Sequence, residues 1–129
     1  MANVLLVEDQ PLIFTIIRAF FGGTQHVVRA VETGTAAVMA VLSEKPDVII
    51  TDLQLPDMKG LELLQIMHDE YHIPVVVMSG PSIADEEDEI STALKMGACA
   101  ALLKPVSREQ VLSTVHRVLA GSYAGSAAS

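Results

Sequence analysis

The chain has 129 residues, 8 basic against 16 acidic for a formal net charge of −8, and 50% of them are apolar. That length accommodates one domain with a sizeable core and not two. The acidic balance, with no basic stretch interleaved with aromatics, argues against direct nucleic-acid binding, and no apolar run reaches the roughly 20 residues that span a bilayer.

The N-terminus carries no basic region ahead of its apolar stretch, so the chain reads as soluble, unexported and cytoplasmic. Cys99 is the single cysteine. It leaves no internal disulfide and no cysteine-based zinc cluster, in keeping with a reducing compartment, and it is expected to pack in or beside the last strand.

In chain order, Val4–Val7 is the first strand-like run, followed directly by Glu8 and Asp9. Pro11 suits the first turn of a helix, and Leu12, Ile13, Ile16, Ile17, Phe20 and Phe21 make a broad apolar face that Gly22-Gly23 ends. Phe14, Phe20 and Phe21 read as mostly core. The face is wider than one buried side needs, and the surplus, with Phe14 as the residue to test, is a candidate surface on which the helices of a partner dock.

A second strand, Val27–Val31, precedes a helix from about Thr35 to Ser43. The third apolar run, Val48–Ile50, leads through Thr51 to Asp52 in the stretch VIITDLQLPD, where Pro56 prevents the strand from continuing. A helix from about Gly60 to Asp69 follows, then the strand Val75–Met78, ending in Ser79 and Gly80. The loop SGPSIADEED enters a helix from about Asp85 to Met96. The acidic residues Asp85 to Glu89 complement the helix dipole and read as a solvated face. The last strand, Ala100–Leu103, gives way to Lys104-Pro105 and a helix from about Arg108 to Ala120. Residues 1–120 read as one domain, and the small, polar stretch GSYAGSAAS, 121–129, as a flexible tail or the start of a linker.

Five repeats of strand then helix predict an α/β fold with an open, doubly wound parallel sheet, in which ligands bind outside the carboxyl ends of the strands. Those ends collect Glu8, Asp9, Asp52, Ser79 and Lys104. Three carboxylates in one place raise one another's pKa unless a cation neutralises them, and magnesium prefers a few carboxylates with water and phosphate oxygens. Lys104 can pair with Asp52 at rest and with a phosphoryl oxygen afterwards, and Ser79 offers a hydroxyl donor. Each residue alone has a plainer reading: Asp52 as a turn residue, Glu8-Asp9 as caps for the helix at Pro11, Lys104 as a solvated surface lysine. Taken together they read as a device for placing a phosphoryl group on a carboxylate. A flavin carrier on the same fold is set aside, because Glu8 and Asp9 would repel a phosphate where its binding loop should be. His68 and His72, in HDEYH, resemble half of a zinc signature, but Pro74 follows too soon to keep His72 in a helical turn.

The segments VLLVEDQ, VIITDLQLPDMKGLELL, VVVMSG and GACAALLKP, in this order, resemble the receiver domain of the two-component response-regulator family, over about Val4 to Ala120. The resemblance implies a flavodoxin-like (βα)5 fold with strand order 2-1-3-4-5. It implies a signalling switch rather than an enzyme, with Asp52 taking a phosphoryl group from a phosphohistidine on a histidine kinase or phosphotransfer protein. Asp9 and Asp52 would bind Mg2+ directly, Glu8 through water, and the main-chain carbonyl of Gln54 would complete the set. Ser79 would bond the phosphoryl group, Lys104 would pair with it, and the Lys104-Pro105 peptide would be cis. Gln54 and Pro81 would flank the path of the water that hydrolyses the acyl phosphate. The output would act on a downstream protein target or a fused output domain, and a homodimer through the fourth and fifth helices is left open.

The sequence departs from that family in one place. Most receivers carry Tyr or Phe three residues before the lysine, where this chain has Ala101. The signal is therefore expected to travel through the Ser79–Glu86 loop and the fourth helix, and the alternative reading is a receiver-like scaffold that works without phosphorylation.

Overall fold

Short branched runs that alternate with helical segments can bury both sheet faces only if the strands run parallel and the helices cover them. The computed structural model, which describes residues 2–80 and 86–121, has this arrangement. Its elements are β1 (Asn3–Val7), α1 (Pro11–Phe20), β2 (Val27–Val31), α2 (Gly34–Ser43), β3 (Val48–Asp52), α3 (Gly60–Asp69), β4 (Val75–Ser79), α4 (Glu86–Lys95), β5 (Ala100–Leu103) and α5 (Arg108–Leu119). The sheet order is β2-β1-β3-β4-β5, and every pairing is parallel. The chain thus has the flavodoxin-like architecture and the strand order that the resemblance implies.

The strand alternation sorts the core into two layers. Val4, Leu6, Val48, Ile50, Val76, Met78 and Leu102 join Ile17 and Phe21 from the α1 end and Val111, Val115 and Val118 from α5. Their odd neighbours Leu5, Val7, Ile49, Val75 and Val77 join Ala37 and Val41 of α2, Leu63, Leu64 and Met67 of α3 and Ala93 of α4. All five residues of β3 and of β4 are buried, as expected for central parallel strands covered on both faces.

Two details differ from the sequence reading. β3 runs two residues past its apolar triplet, so Asp52 is the last ladder residue, in register with Met78, and not the residue after the strand. Thr51 is branched and tolerates the ladder, which ends at Asp52, well before Pro56. On α1, Phe21 is buried and Phe20 packs against the α5-side layer, whereas half-buried Phe14 belongs to neither layer. The apolar surplus of this helix is Leu12, 72% exposed, and Ile16, 42% exposed.

Local chemistry explains the helix starts. The Thr33 hydroxyl accepts from the Ala36 N–H to cap α2, and Ser107 forms a reciprocal capping box with Gln110 at the start of α5. α1 starts at Pro11 behind Gln10, without a side-chain cap. The capping role considered for Glu8 and Asp9 is therefore not theirs. α3 starts at Gly60, where a side chain would collide with the Asp52 carbonyl and with the backbone of Leu53. Pro81, the greater part of the Ser79–Glu86 loop, Asp85, and the tail beyond Gly121 lie outside the described residues.

Because the atoms facing Gly60 are backbone, they cannot swing aside as a flexible side chain would. Gly60→Ala is expected to destabilise the fold by about 1–3 kcal/mol, read from the urea midpoint at constant m-value. A variant as stable as the wild type would show that the start of α3 moves freely relative to Asp52.

Candidate functional site

Parallel strands place all their carboxyl ends on one edge, and three of those ends supply the site. Glu8 follows β1, Asp52 ends β3 and Lys104 follows β5. The Lys104 ammonium donates to Glu8 Oε1 at 2.8 Å and to Asp52 Oδ2 at 2.6 Å. Both carboxylates are almost fully enclosed, Glu8 at 0% and Asp52 at 5% exposure. Their remaining oxygens take main-chain donors: Gln10 N–H on Glu8 Oε2 and Gln54 N–H on Asp52 Oδ1, each at 3.0 Å.

Asp9 is exposed, yet it brings a carboxylate oxygen into a cluster with Glu8 and Asp52 in which the three ligand atoms lie within 4.8 Å of one another. Burial pushes the Glu8 carboxyl up, and the neighbouring Asp52 charge adds to this, against the hydrogen bonds from Lys104 and Gln10 that pull it down. Burial works to lower the Lys104 ammonium, but its hydrogen bonds to Asp52 and Glu8 outweigh that and hold it above its ordinary value. Lys104 is therefore a fixed cation at neutral pH. The cluster presents hard, anionic oxygens on one open side, which is the donor set that magnesium takes, and the residues present fit it.

The alternation within strands decides which way each group faces. Asp52 continues the Val48 and Ile50 face, and it lines a cavity of about 420 Å3 together with Ile13, Ile16 and Ile17 of α1 and Lys104, Pro105 and Val106. Ser79 has the parity of Val75 and Val77 and belongs to the opposite, α4 side. It is buried, and among the described residues its hydroxyl donates a long 3.4 Å bond to the Gly80 carbonyl. Ala101 packs on that same side, in register with Val77. The Lys104-Pro105 peptide is cis.

Gln54 does more than its main chain suggested, since its side-chain amide reaches Glu89 of α4 at 3.3 and 3.4 Å. Asp57 was not singled out from sequence. Its carboxylate accepts from the Gly34 and Thr35 N–H groups, each at 2.9 Å, and from the Thr35 hydroxyl at 2.7 Å, so it ties the β3–α3 loop to the start of α2. Those donors, the Thr35 hydroxyl foremost, pull its carboxyl down to about 2. An acidic residue in a turn after Pro56 carries no sign of a partner so far back in the chain.

His68 and His72 do not form a pair on one helical face. α3 ends at Asp69, His72 lies beyond it with φ of 55°, and His68 bonds its neighbour Asp69. Cys99 is buried just before β5, as expected. Among the described residues no helix is long and apolar enough to cross a membrane.

Comparison with known proteins agrees with this fold. The response regulator receiver domain family matches residues 4–116. The chain is 31% identical over 122 residues to the nitrate/nitrite response regulator protein NarL of Escherichia coli, covering 93% of this chain but only 56% of NarL. It is likewise 31% identical over 124 residues to protein PilH of Pseudomonas aeruginosa, covering 94% of this chain and all of PilH. Among solved structures it superposes on a signal receiver domain from Vibrio parahaemolyticus with a TM-score of 0.84 and 27% identity, over 94% of this chain and 92% of that one. CheY4 of Vibrio cholerae, a chemotaxis response regulator, superposes with a TM-score of 0.78 and 26% identity, over 92% of this chain and 98% of that one.

The raised Glu8 carboxyl gives a sign for the pH dependence. The folded state holds this proton more tightly than the unfolded chain, so the contribution is full below the ordinary value of 4.5 and is lost as pH rises through the raised folded value. In chelator, wild-type stability is expected to carry this decline on the neutral side of 4.5 and Glu8→Gln to lack it, as read from urea midpoints across pH. Lys104→Ala leaves two enclosed carboxylates without a counter-charge and is expected to cost about 3–5 kcal/mol at neutral pH.

Proposed function

The chain belongs to the response regulator receiver domain family of two-component systems, and we propose that it is a phosphoryl-accepting switch whose acceptor is Asp52. The observation that carries this reading is the Lys104 ammonium held between the enclosed carboxylates of Glu8 and Asp52, beside Asp9, at the carboxyl edge of the sheet. A plain structural ion pair would not need the third carboxylate or an open cavity on one side.

In the proposed reaction an Asp52 oxygen attacks the phosphorus of a phosphohistidine on a kinase or phosphotransfer protein. The P–N bond breaks and its electron pair returns to the imidazole, which leaves neutral with the proton on its other nitrogen. The Gln54 N–H on Oδ1 and Lys104 on Oδ2 hold the carboxylate in one orientation before the donor arrives. Lys104 then turns from Asp52 toward a phosphoryl oxygen, keeping Glu8 as its second partner. Asp9, Asp52 and the Gln54 carbonyl would hold magnesium, with Glu8 acting through water, and the ion would supply the neutralising charge that phosphoryl oxygens demand.

The acyl phosphate adds about −1.5 to −2 of charge at this edge. Ser79 is the natural responder, since its present bond to Gly80 is long and readily exchanged for a charged acceptor. With Ala101 in place of an aromatic ring, the change passes to the loop after Ser79 and to α4, to which Gln54 is already tied through Glu89. The donor's entry is supported by α1, where exposed Ile16 lines the cavity that leads to Asp52 and exposed Leu12 lies one helical turn before it. A helical partner with an apolar flank beside its phosphohistidine fits that face.

Incubation with acetyl phosphate is expected to add one phosphate mass to the wild type only with magnesium present, and none to Asp52→Asn. Absence of an adduct, with magnesium binding verified separately, would favour a scaffold that works unmodified. In transfer from a phosphohistidine donor, Leu12→Ser is expected to slow the reaction at least tenfold more than it slows labelling by acetyl phosphate, and equal slowing would remove α1 from the docking face.

A further inference from the structure

At the sheet edge opposite Asp52 two histidines meet from distant parts of the chain. His26 immediately precedes β2, and His116 lies in the last turn of α5. α5 runs back along the sheet, so its end returns to the edge where β2 begins. The two Nε2 atoms are 3.3 Å apart, although the residues are separated by 90 positions.

Both rings are held in place. The His26 N–H donates to the Thr24 hydroxyl at 3.3 Å, and its ring packs edge-on to Phe21 at a centroid distance of 6.1 Å. Among the described residues its Nδ1 is enclosed with no hydrogen-bond partner. His116 is carried by a helix whose neighbouring residues Val115 and Val118 are in the core. The two rings, one just ahead of β2 and one on α5, present the same ring atom to one another, with centroids 5.4 Å apart.

Zinc–nitrogen bonds of about 2.0–2.1 Å in a tetrahedron place neighbouring ligand nitrogens about 3.3–3.4 Å apart. That is the observed separation. We propose that His26 and His116 form a two-histidine seat for a borderline divalent ion of the zinc type, with water in its remaining positions. Imidazole suits such ions, whereas magnesium and calcium prefer oxygen. The seat is therefore chemically distinct from the acidic cluster, and it does not depend on phosphoryl transfer.

Three further features support it. Burial and the neighbouring His116 lower the pKa of His26 and keep its lone pair available at neutral pH. The ion would sit at the negative end of the α5 dipole. A chain of net charge −8 concentrates cations around itself. A bound ion would clamp the end of α5 to the entry of β2 and so stabilise the folded state by linkage.

The competing account is a simple N–H···N hydrogen bond between two neutral rings. Histidine ring resonances of the assigned full chain, titrated with Zn2+ in excess magnesium, separate the two. The His26 and His116 rings are expected to shift together and saturate at one ion per chain, with the thermal midpoint rising in parallel. His116→Ala, at an exposed position, is expected to weaken binding at least tenfold. Rings at 26 and 116 that stay unmoved, or that shift no sooner than those of His68 and His72, would overturn the proposal, and so would undiminished affinity in the His116→Ala protein.

Discussion

One ammonium group answers for two carboxylates that water hardly reaches. Lys104 donates to both Glu8 and Asp52, and the two acids outnumber it. In a low-dielectric setting an uncompensated charge is costly, so the cluster is relieved by a proton on Glu8, by a cation, or by a rearrangement that spreads the charge. The raised Glu8 carboxyl is the first of these responses. Asp9, exposed and close by, adds to the excess and opens it to solvent. Asp52 on β3 and Lys104 after β5 are joined across β4, whose five residues are all buried.

Much of this was legible before any coordinates. Branched runs bounded by Gly, Pro and acidic residues located all five strands, and the helix limits fall within about one residue of expectation, because residues such as Pro11 and Gly22-Gly23 are local signals read from their own neighbourhoods. The convergence of Glu8, Asp9, Asp52 and Lys104 was legible from one topological rule about carboxyl ends. What could not be read were contacts made across long sequence separations. The hydrogen bond of Lys104 to Glu8, the hold of Asp57 on Gly34 and Thr35, and the meeting of His26 with His116 depend on where folded elements pass one another. The apolar excess of α1 was visible in the sequence, but its assignment to Leu12 and Ile16 rather than Phe14 needed the rotation of that helix against α5.

Ala101 shows how a local vacancy differs from a global one. Its methyl group packs with the α4-side layer, so the core there is closed without a ring. The exposed neighbour on the same face is Leu103, at 64% exposure. The chain thus places a methyl group at a partly buried position and a larger aliphatic group at a solvent-facing one.

The parity of the strands has a consequence for traffic. Asp52 opens toward α1, and Ser79 and Ala101 belong to the layer under α4. Anything that approaches Asp52 and anything that packs on Ala101 therefore meets opposite faces of the one sheet.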